Sequence, residues 1–299
     1  MFVPDPRPDD RCALLVDAAF GANPAVAAAE LPLARDAREG WLRAVVLGGQ
    51  GRYAAARAEL GGLTVHRTDP VLAALAASTR GSLLRQLGWH AAAARHDGAA
   101  AALVLPGPAP DRAGELSVSL GEGCGPDRFD AACDALTGLA ADALGTGRTD
   151  LATRLLGRVR VLLADADAPD PRRLRLAIRL CWVSAETALA AGRLSEATPH
   201  AEAALALAEQ GPSMRHRVKS RLLVAAATAA NGGDASELAE TVATECREHG
   251  LLPLRWACAM LRTGLPGRDI DRSAAEREAA ECAITIERLG GHFRPAGAR

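Results

Sequence analysis

Five short turns that carry glycine interrupt the Ala- and Leu-rich segments of this chain, and no other feature of the sequence constrains its fold as strongly. They are residues 49–53 (GQGRY), 87–90 (LGWH), 145–149 (GTGRT), 191–194 (AGRL) and 231–234 (NGGD). Glycine ends a helix in a left-handed conformation that other residues resist. The segments between the turns have apolar residues at helical spacing, and none alternates with the period of two that strands show. The sequence therefore predicts an all-α fold in which these turns join helices into antiparallel pairs.

Residues at fixed offsets from the turns follow a repeating pattern. Residues 37–70 contain Trp41, Ala44, Leu47, Gly51, Tyr53, Ala56 and Leu60, and residues 178–211 contain Trp182, Ala185, Ala188, Gly192, Leu194, Ala197 and Ala204. The layout resembles the tetratricopeptide repeat, a helix–turn–helix unit with a large and a small residue in its first helix, a glycine before the turn and small residues in its second helix. The resemblance implies a right-handed α-α superhelix, a solenoid of about six antiparallel helix pairs.

The chain departs from that family in spacing and in its turn residues. The turn glycines lie 37, 59, 45 and 41 residues apart rather than at a constant interval, and only the first turn contains a tyrosine, Tyr53. Inserts therefore separate the predicted units, and another antiparallel helical array stays open as an alternative. Such degenerate repeats are typical of bacterial regulators. Lys219 is the single lysine among 35 basic residues, a bias that indicates a high-GC genome of actinobacterial type.

Composition divides the chain into a front and a back half. Residues 105–127 are rich in Gly and Pro and predict a loop. The front half is predicted to begin with a disordered N-terminus (1–8), followed within 9–104 by two cap helices (9–35) and two tetratricopeptide-like pairs. The back half, 128–290, is predicted to contain three such pairs and a last helix pair (254–264 and 272–289). A mobile tail (291–299) is predicted to follow.

Charge and cysteine content limit the classes of function. The chain has 35 basic and 36 acidic residues and a net charge of −1, which argues against binding nucleic acid through bulk electrostatics. The basic stretch 215–221 (RHRVKSR) predicts a solvated helix face or a protein contact. No apolar stretch is long enough to cross a membrane, and the first ten residues have no apolar core of a secretory signal. Seven cysteines without a CxxC pair indicate reduced thiols, so we expect a cytoplasmic protein.

The sequence contains no recognisable motif for catalysis or for metal or cofactor binding. Cys246 and His249 have the spacing of a zinc ligand pair, but no second pair accompanies them. The glycine-rich residues 121–125 lack the lysine of a phosphate-binding loop. The sequence contains no nucleophile elbow and no HExxH motif. We therefore predict no enzyme, no catalytic residue, no metal site and no cofactor.

The first helices of the predicted pairs should line a concave face that binds a partner. Counting from the turn glycines places ten residues there: Arg38, Trp41, Ser78, Ser82, Arg85, Asp134, Arg179, Trp182, Glu186 and Ser220. The two tryptophans would provide apolar contacts and the arginines would bind carboxylates. The alternative is that both tryptophans fill the core and the arginines are solvated.

These features favour a non-catalytic scaffold or adaptor that binds a protein or peptide with acidic groups. The alternative function is a regulatory module that senses a ligand or peptide and acts through a separate transcription regulator. Pairing of two copies through the last helix pair, which would form a homodimer, stays open. The sequence does not distinguish these possibilities, because all of them use the same helical scaffold.

Overall fold

The computed structural model describes residues 8–63, 69–105, 126–164, 173–266 and 269–295, which contain thirteen α-helices and no strand. The helices are α1 (Pro8–Phe20), α2 (Ala37–Gly49), α3 (Tyr53–Gly62), α4 (Pro70–Arg85), α5 (His90–Val104), α6 (Arg128–Gly145), α7 (Thr149–Ala164), α8 (Leu174–Ala190), α9 (Leu194–Glu209), α10 (Met214–Ala230), α11 (Ser236–Glu248), α12 (Leu252–Thr263) and α13 (Asp269–Arg288). The predicted all-α class is confirmed. No helix in these ranges is both long and apolar enough to cross a lipid bilayer.

The five glycine turns separate helices as the sequence predicts. One glycine in each turn has a φ angle between 71° and 85°, and these are Gly51, Gly88, Gly147, Gly192 and Gly232. In the first four cases a completely buried alanine follows five residues later, for example Ala56 after Gly51. The glycine reverses the chain, and the alanine allows the second helix to approach the first closely.

Polar caps define where several of the helices begin. Asp36 accepts a hydrogen bond from the Glu39 amide at the start of α2. Asp69 caps α4, whose first residue is Pro70. Asp127 and Asp130 form a reciprocal capping box at the start of α6. These side chains satisfy amide groups that have no partner within the helix.

Packing follows the order of the helices in two ways. Each helix packs against the next one along the chain, and the even-numbered helices also pack in a row, α2 on α4, α4 on α6, α6 on α8, α8 on α10 and α10 on α12. The row places one face of six helices toward a common interior. This arrangement positions the site described below.

The two ends of this row meet. The C-terminal segment, which we define as residues 289–295, lies against α3 and the turn before α5: the Ala54 amide donates to Leu289 O at 2.9 Å and the Arg294 amide to Leu87 O at 2.8 Å. The indole of Trp89 donates to His292 O at 2.7 Å. On another side, the Met214 amide at the start of α10 donates to Gly21 O at 3.1 Å. The front and back halves therefore enclose the interior between them.

One prediction about the ends of the chain is corrected, and others lie outside the described residues. The mobility predicted for the tail 291–299 stays a prediction; residues 291–295 form the hydrogen bonds above. Of the two cap helices expected over 9–35, α1 forms, whereas residues 21–36 form turns. The disordered N-terminus predicted for 1–8 and the loop predicted for 105–127 fall mainly on residues 1–7 and 106–125, which are not described.

Candidate functional site: a central cavity

The interior of the helical row contains a cavity of about 660 Å³, which we call the central cavity. Its walls come from α2, α4, α6, α8, α10 and α12, which are the first helices of the six predicted pairs, and from Ile286 and Phe293 near the C-terminus. The cavity lies toward the C-terminal ends of α2, α4 and α6 and the N-terminal ends of α8, α10 and α12. A volume of this order is typical of sites for small ligands.

Eight of the ten residues predicted for the concave face line this cavity. They are Trp41, Ser78, Ser82, Arg85, Asp134, Arg179, Trp182 and Glu186. Arg38 does not line the cavity, because it lies in the first turn of α2 whereas the cavity is formed by the later turns. Ser220 is completely buried instead: its hydroxyl accepts a hydrogen bond from Trp182 and donates one to Ala204 O. Arg38 and Ser220 therefore lie outside the wall of the central cavity.

The two predicted tryptophans are wall residues whose polar atoms are already bonded. Trp41 is 2% exposed and its indole nitrogen donates to Thr79 Oγ1 at 3.0 Å. Trp182 is 6% exposed and donates to Ser220 Oγ at 2.8 Å. Both rings are thus fixed in orientation and offer ring surface, but no free N–H group, to the cavity.

Three arginines, Arg175, Arg179 and Arg215, form what we call the arginine cluster. Arg175 donates two hydrogen bonds to Asp134, at 2.9 and 2.8 Å, and Arg179 Nε lies 3.1 Å from the same carboxylate. Although burial acts against ionisation, Arg175 and Arg179 lower the pKa of Asp134 below its usual range. Asp134 is therefore ionised and balances one of the three positive charges.

Arg215 carries a charge that no carboxylate balances within the described part of the chain. Its guanidinium donates only to backbone oxygens, to Val45 O at 3.3 Å and to Ala19 O at 3.2 Å. Burial, together with the charges of Arg179 and Arg175, lowers the pKa of Arg215 to about 10. Arg215 is half-buried at the cavity wall, and a cation removed from solvent without a counterion is costly in the empty protein and favours a bound anion.

A second group of polar residues lies beside the arginine cluster. Lys219 Nζ is 3.1 Å from Glu186 Oε1 and 4.7 Å from the centre of the Trp182 ring. His216 packs edge-on against the same ring, with centroids 5.2 Å apart. Burial and the cations Arg215, Arg175, Arg179 and Lys219 lower the pKa of His216 well below its usual value, so its imidazole is neutral. Lys219 and Glu186 balance each other and add no net charge.

Arg85 extends from the cavity wall to two buried carboxyl groups behind it, Asp97 and Asp142. It is ion-paired with Asp97, and its Nε donates to Asp142 Oδ1 at 2.8 Å. Burial raises the pKa of Asp97 to about 7; Arg85 opposes this rise and Asp142 adds to it. Asp97 Oδ1 and Asp142 Oδ2 have no donor among the described residues. A proton on Asp97 would supply one.

The remaining wall of the cavity is apolar and depends on the C-terminal segment. The rings of Trp256 and Phe293 are in contact, with centroids 4.7 Å apart and planes tilted by 36°, and Leu254, Ile286 and Val45 also line the cavity. The cavity thus combines a cationic wall from α8 and α10 with apolar surface from α2, α12 and the C-terminal segment. Such a combination suits a ligand with an anionic group and an apolar body.

Several residues of this site were not among those predicted from the sequence. Arg175 lies one turn before Arg179 on α8, so extending that stripe by four residues would have found it. Arg215, Lys219 and Leu222 form a stripe of the same kind on α10, but the stretch 215–221 was interpreted as a solvated or protein-contact face. Phe293 carried no local signal, because its position depends on the closure of the row.

The fold and this cavity define an all-helical protein with a ligand-sized, cation-rich interior site. The described residues contain no group of three or more His, Cys, Asp or Glu side chains placed to hold a metal ion. Comparison with protein families finds no matching family, and comparison with curated proteins finds no matching sequence.

Proposed function

We propose that this chain is a non-catalytic binding protein of the bacterial cytoplasm that holds a peptide or small ligand with an anionic group in the central cavity. The observation that carries the proposal is the arginine cluster, in which two guanidinium groups contact one carboxylate at the wall of a cavity and a third has only carbonyl oxygens as acceptors. The helical row is, in this proposal, a tetratricopeptide-like solenoid of six antiparallel pairs closed on itself.

The size of the cavity favours a short ligand over a long partner segment. Binding sites for small molecules occupy roughly 300–1,000 Å³, and the central cavity of about 660 Å³ falls within that range. An α-helix of another protein is about 10 Å wide, so three turns of it would exceed this volume. A few residues of an extended peptide, or a metabolite, are the ligands that fit.

Closure of the row favours the sensing role over the scaffold role. A ligand in the central cavity would touch helices of both halves and the C-terminal segment at once. Binding would therefore stabilise contacts between the ends of the row, such as the pair Trp256 and Phe293. A change in how the ends meet could then be transmitted to a partner protein, since a ligand shifts an equilibrium by its difference in affinity for the two states.

A peptide-retention experiment tests the proposal. The protein would be mixed with a pool of short peptides bearing free C-terminal carboxylates and with a matched pool of C-terminal amides, and retained species would be identified by native mass spectrometry. We expect retention from the carboxylate pool and its loss in Arg179→Glu and Arg215→Glu. Arg217→Glu, on the same helix but outside the cavity wall, is the control. Retention that survives both charge reversals would refute binding at the arginine cluster.

A further inference from the structure

The arginine cluster has a charge that indicates more than a generic anion site. Arg175, Arg179 and Arg215 contribute three positive charges, and Asp134 contributes one negative charge, which leaves two positive charges. The neighbouring Lys219 and Glu186 cancel, His216 is neutral, and Arg85 on the same wall is paired with Asp97 behind it. A single carboxylate would balance only half of the excess, whereas a doubly charged oxyanion would balance all of it.

Some N–H donors of the arginine cluster already bind acceptors within the protein, and others are available to bind a ligand. Both terminal nitrogens of Arg175 donate to Asp134. Arg179 contacts Asp134 only through Nε, and among the described residues its two terminal nitrogens donate to no acceptor. Arg215 is held by two carbonyl oxygens at 3.2 and 3.3 Å, long distances that a charged acceptor could improve on. The available donors are therefore on Arg179 and Arg215.

Contacts around the cluster fix where these donors lie. Arg215 donates to Ala19 O at the end of α1, and the guanidinium carbon of Arg175 lies 5.6 Å from the centre of the adjacent Phe20 ring. Gly49 provides the room, because a Cβ atom at this position would lie 2.6 Å from Arg215 Nη1. The arginine side chains are thus held in position by neighbouring groups in the interior and are not surface arginines.

We propose that the central cavity binds the phosphate monoester of an amphiphilic ligand, with the phosphate between Arg179 and Arg215 and the apolar body against the wall formed by Leu254, Trp256 and Phe293. This inference rests on the proposed function and specifies its ligand. A phosphate monoester carries close to two negative charges and three acceptor oxygens, and planar guanidinium groups match that geometry. The ester can belong to a metabolite or to a phosphorylated peptide, since both present the same group.

Two series of probe ligands are used. Within each series the compounds share an apolar part and differ in charge, and the two series represent the two sources of a phosphate monoester, a metabolite and a phosphorylated peptide. The first series is hexyl phosphate, hexanoate and hexanol, which share a tail and differ in charge. The second is a leucine-flanked phosphoserine tripeptide, blocked at both ends, and its glutamate counterpart. Affinities would be measured by calorimetry at pH 8, where the phosphate is doubly charged. We expect the phosphate of at least one series to bind about 10- to 100-fold more tightly than its singly charged counterpart, the ratio that a charged hydrogen bond provides.

Variants locate the bound phosphate. Arg215→Gln and Arg179→Gln should each remove the preference for phosphate, while the control Arg217→Gln should retain it. If carboxylate and phosphate bind equally in both series, the phosphate inference is refuted and the proposed function stands. If the phosphate preference survives in Arg215→Gln and Arg179→Gln, the assigned position is refuted. If no probe binds and the peptide pool is not retained either, the proposed function itself is refuted.

Discussion

Arg175 and Asp134 form a two-pronged ion pair, with Nη1 2.9 Å from Oδ1 and Nη2 2.8 Å from Oδ2. The pair joins α8 to α6 at the wall of the central cavity. Asp134 is 6% exposed, and Arg179 approaches the same carboxylate. One acidic side chain thus holds two arginines in place and leaves the third, Arg215, unbalanced.

Removing the charge of Asp134 should destabilise the protein strongly. Asp134→Asn leaves the half-buried Arg175 and Arg179 without a counterion, and breaking a fully buried pair costs about 3–5 kcal/mol, which is the upper limit here. Because the folded protein lowers the pKa of Asp134, its contribution to stability is present above the unfolded pKa and is lost as the pH falls through the folded value. Urea unfolding at pH 7 and at pH 3 measures both effects.

An exposed pair provides the control for Asp134. Arg193 and Glu196 form an ion pair at the start of α9, with Nε 3.0 Å from Oε2, and their side chains are 38% and 55% exposed. Glu196→Gln should cost less than about 1 kcal/mol, as for pairs in contact with solvent. Equal effects of Asp134→Asn and Glu196→Gln would contradict a special role for the carboxylate at the cavity.

Arg215 should behave in the opposite way to Asp134. Arg215→Met removes an unbalanced, half-buried charge, so we expect the free energy of unfolding without ligand to stay constant or to rise by about 1 kcal/mol, the lower end of the range for buried ions. The same variant should lose ligand binding. Together, the two results would show that Arg215 lowers the stability of the empty protein and is needed for binding. Urea unfolding, with Arg217→Met for comparison, measures the first effect. A loss of more than about 2 kcal/mol would show that the two carbonyl contacts outweigh the cost of the charge.

The positions of the turns were predictable from sequence because each depends on one local residue. A glycine with positive φ ends a helix regardless of what lies far away, and the five turn glycines behave in this way. The lining helices were also predictable, because five of the six end at these glycine turns. Ser220 shows where counting fails: α10 begins at Met214, and one residue of phase error turns a side chain by about 100°.

Closure of the row could not be read from the sequence. The C-terminal segment binds α3 and the turn before α5, more than 200 residues away along the chain, as in the bond from Trp89 to His292. Contacts between residues so far apart in the sequence produce no periodic pattern in it. The charge of Arg215 was similarly hidden, because burial depends on α1 and α2 packing against α10 and not on neighbouring residues.

The carboxyl pair behind the cavity should make stability depend on pH near neutrality. The folded protein raises the pKa of Asp97 to about 7, so the folded state holds a proton that the unfolded state releases. The contribution of this group is complete below the unfolded pKa and is lost as the pH rises through about 7. We expect the wild-type protein to lose stability between pH 5 and pH 8 and Asp97→Asn to lose less. An unchanged pH profile in Asp97→Asn would assign the effect to another group.

The C-terminal segment should report on closure through Trp256. Phe293→Ala removes the ring that contacts this indole, with centroids 4.7 Å apart, and lines the cavity. We expect a loss of about 1–3 kcal/mol in stability, less than for a fully buried phenylalanine, with a red shift of tryptophan fluorescence. Arg294→Ala is the control, because the bond of this residue to Leu87 uses its backbone amide. Identical spectra for wild type and Phe293→Ala would mean that the contact does not persist in solution.

Gly49 tests the position of Arg215 without changing any charge. In Gly49→Ala the new Cβ atom would meet Arg215 Nη1 at 2.6 Å and Cδ at 3.4 Å, so the flexible side chain must move. Stability should change by less than about 1 kcal/mol, since alanine is the better helix former and partly offsets the displacement. Affinity for hexyl phosphate should fall about tenfold, corresponding to the loss of one well-placed hydrogen bond. Gly62→Ala is the matched control: Gly62 is also the last residue of a helix, and a Cβ atom there meets nothing within 4 Å. Wild-type affinity in a folded Gly49→Ala variant would show that the phosphate does not bind at Arg215.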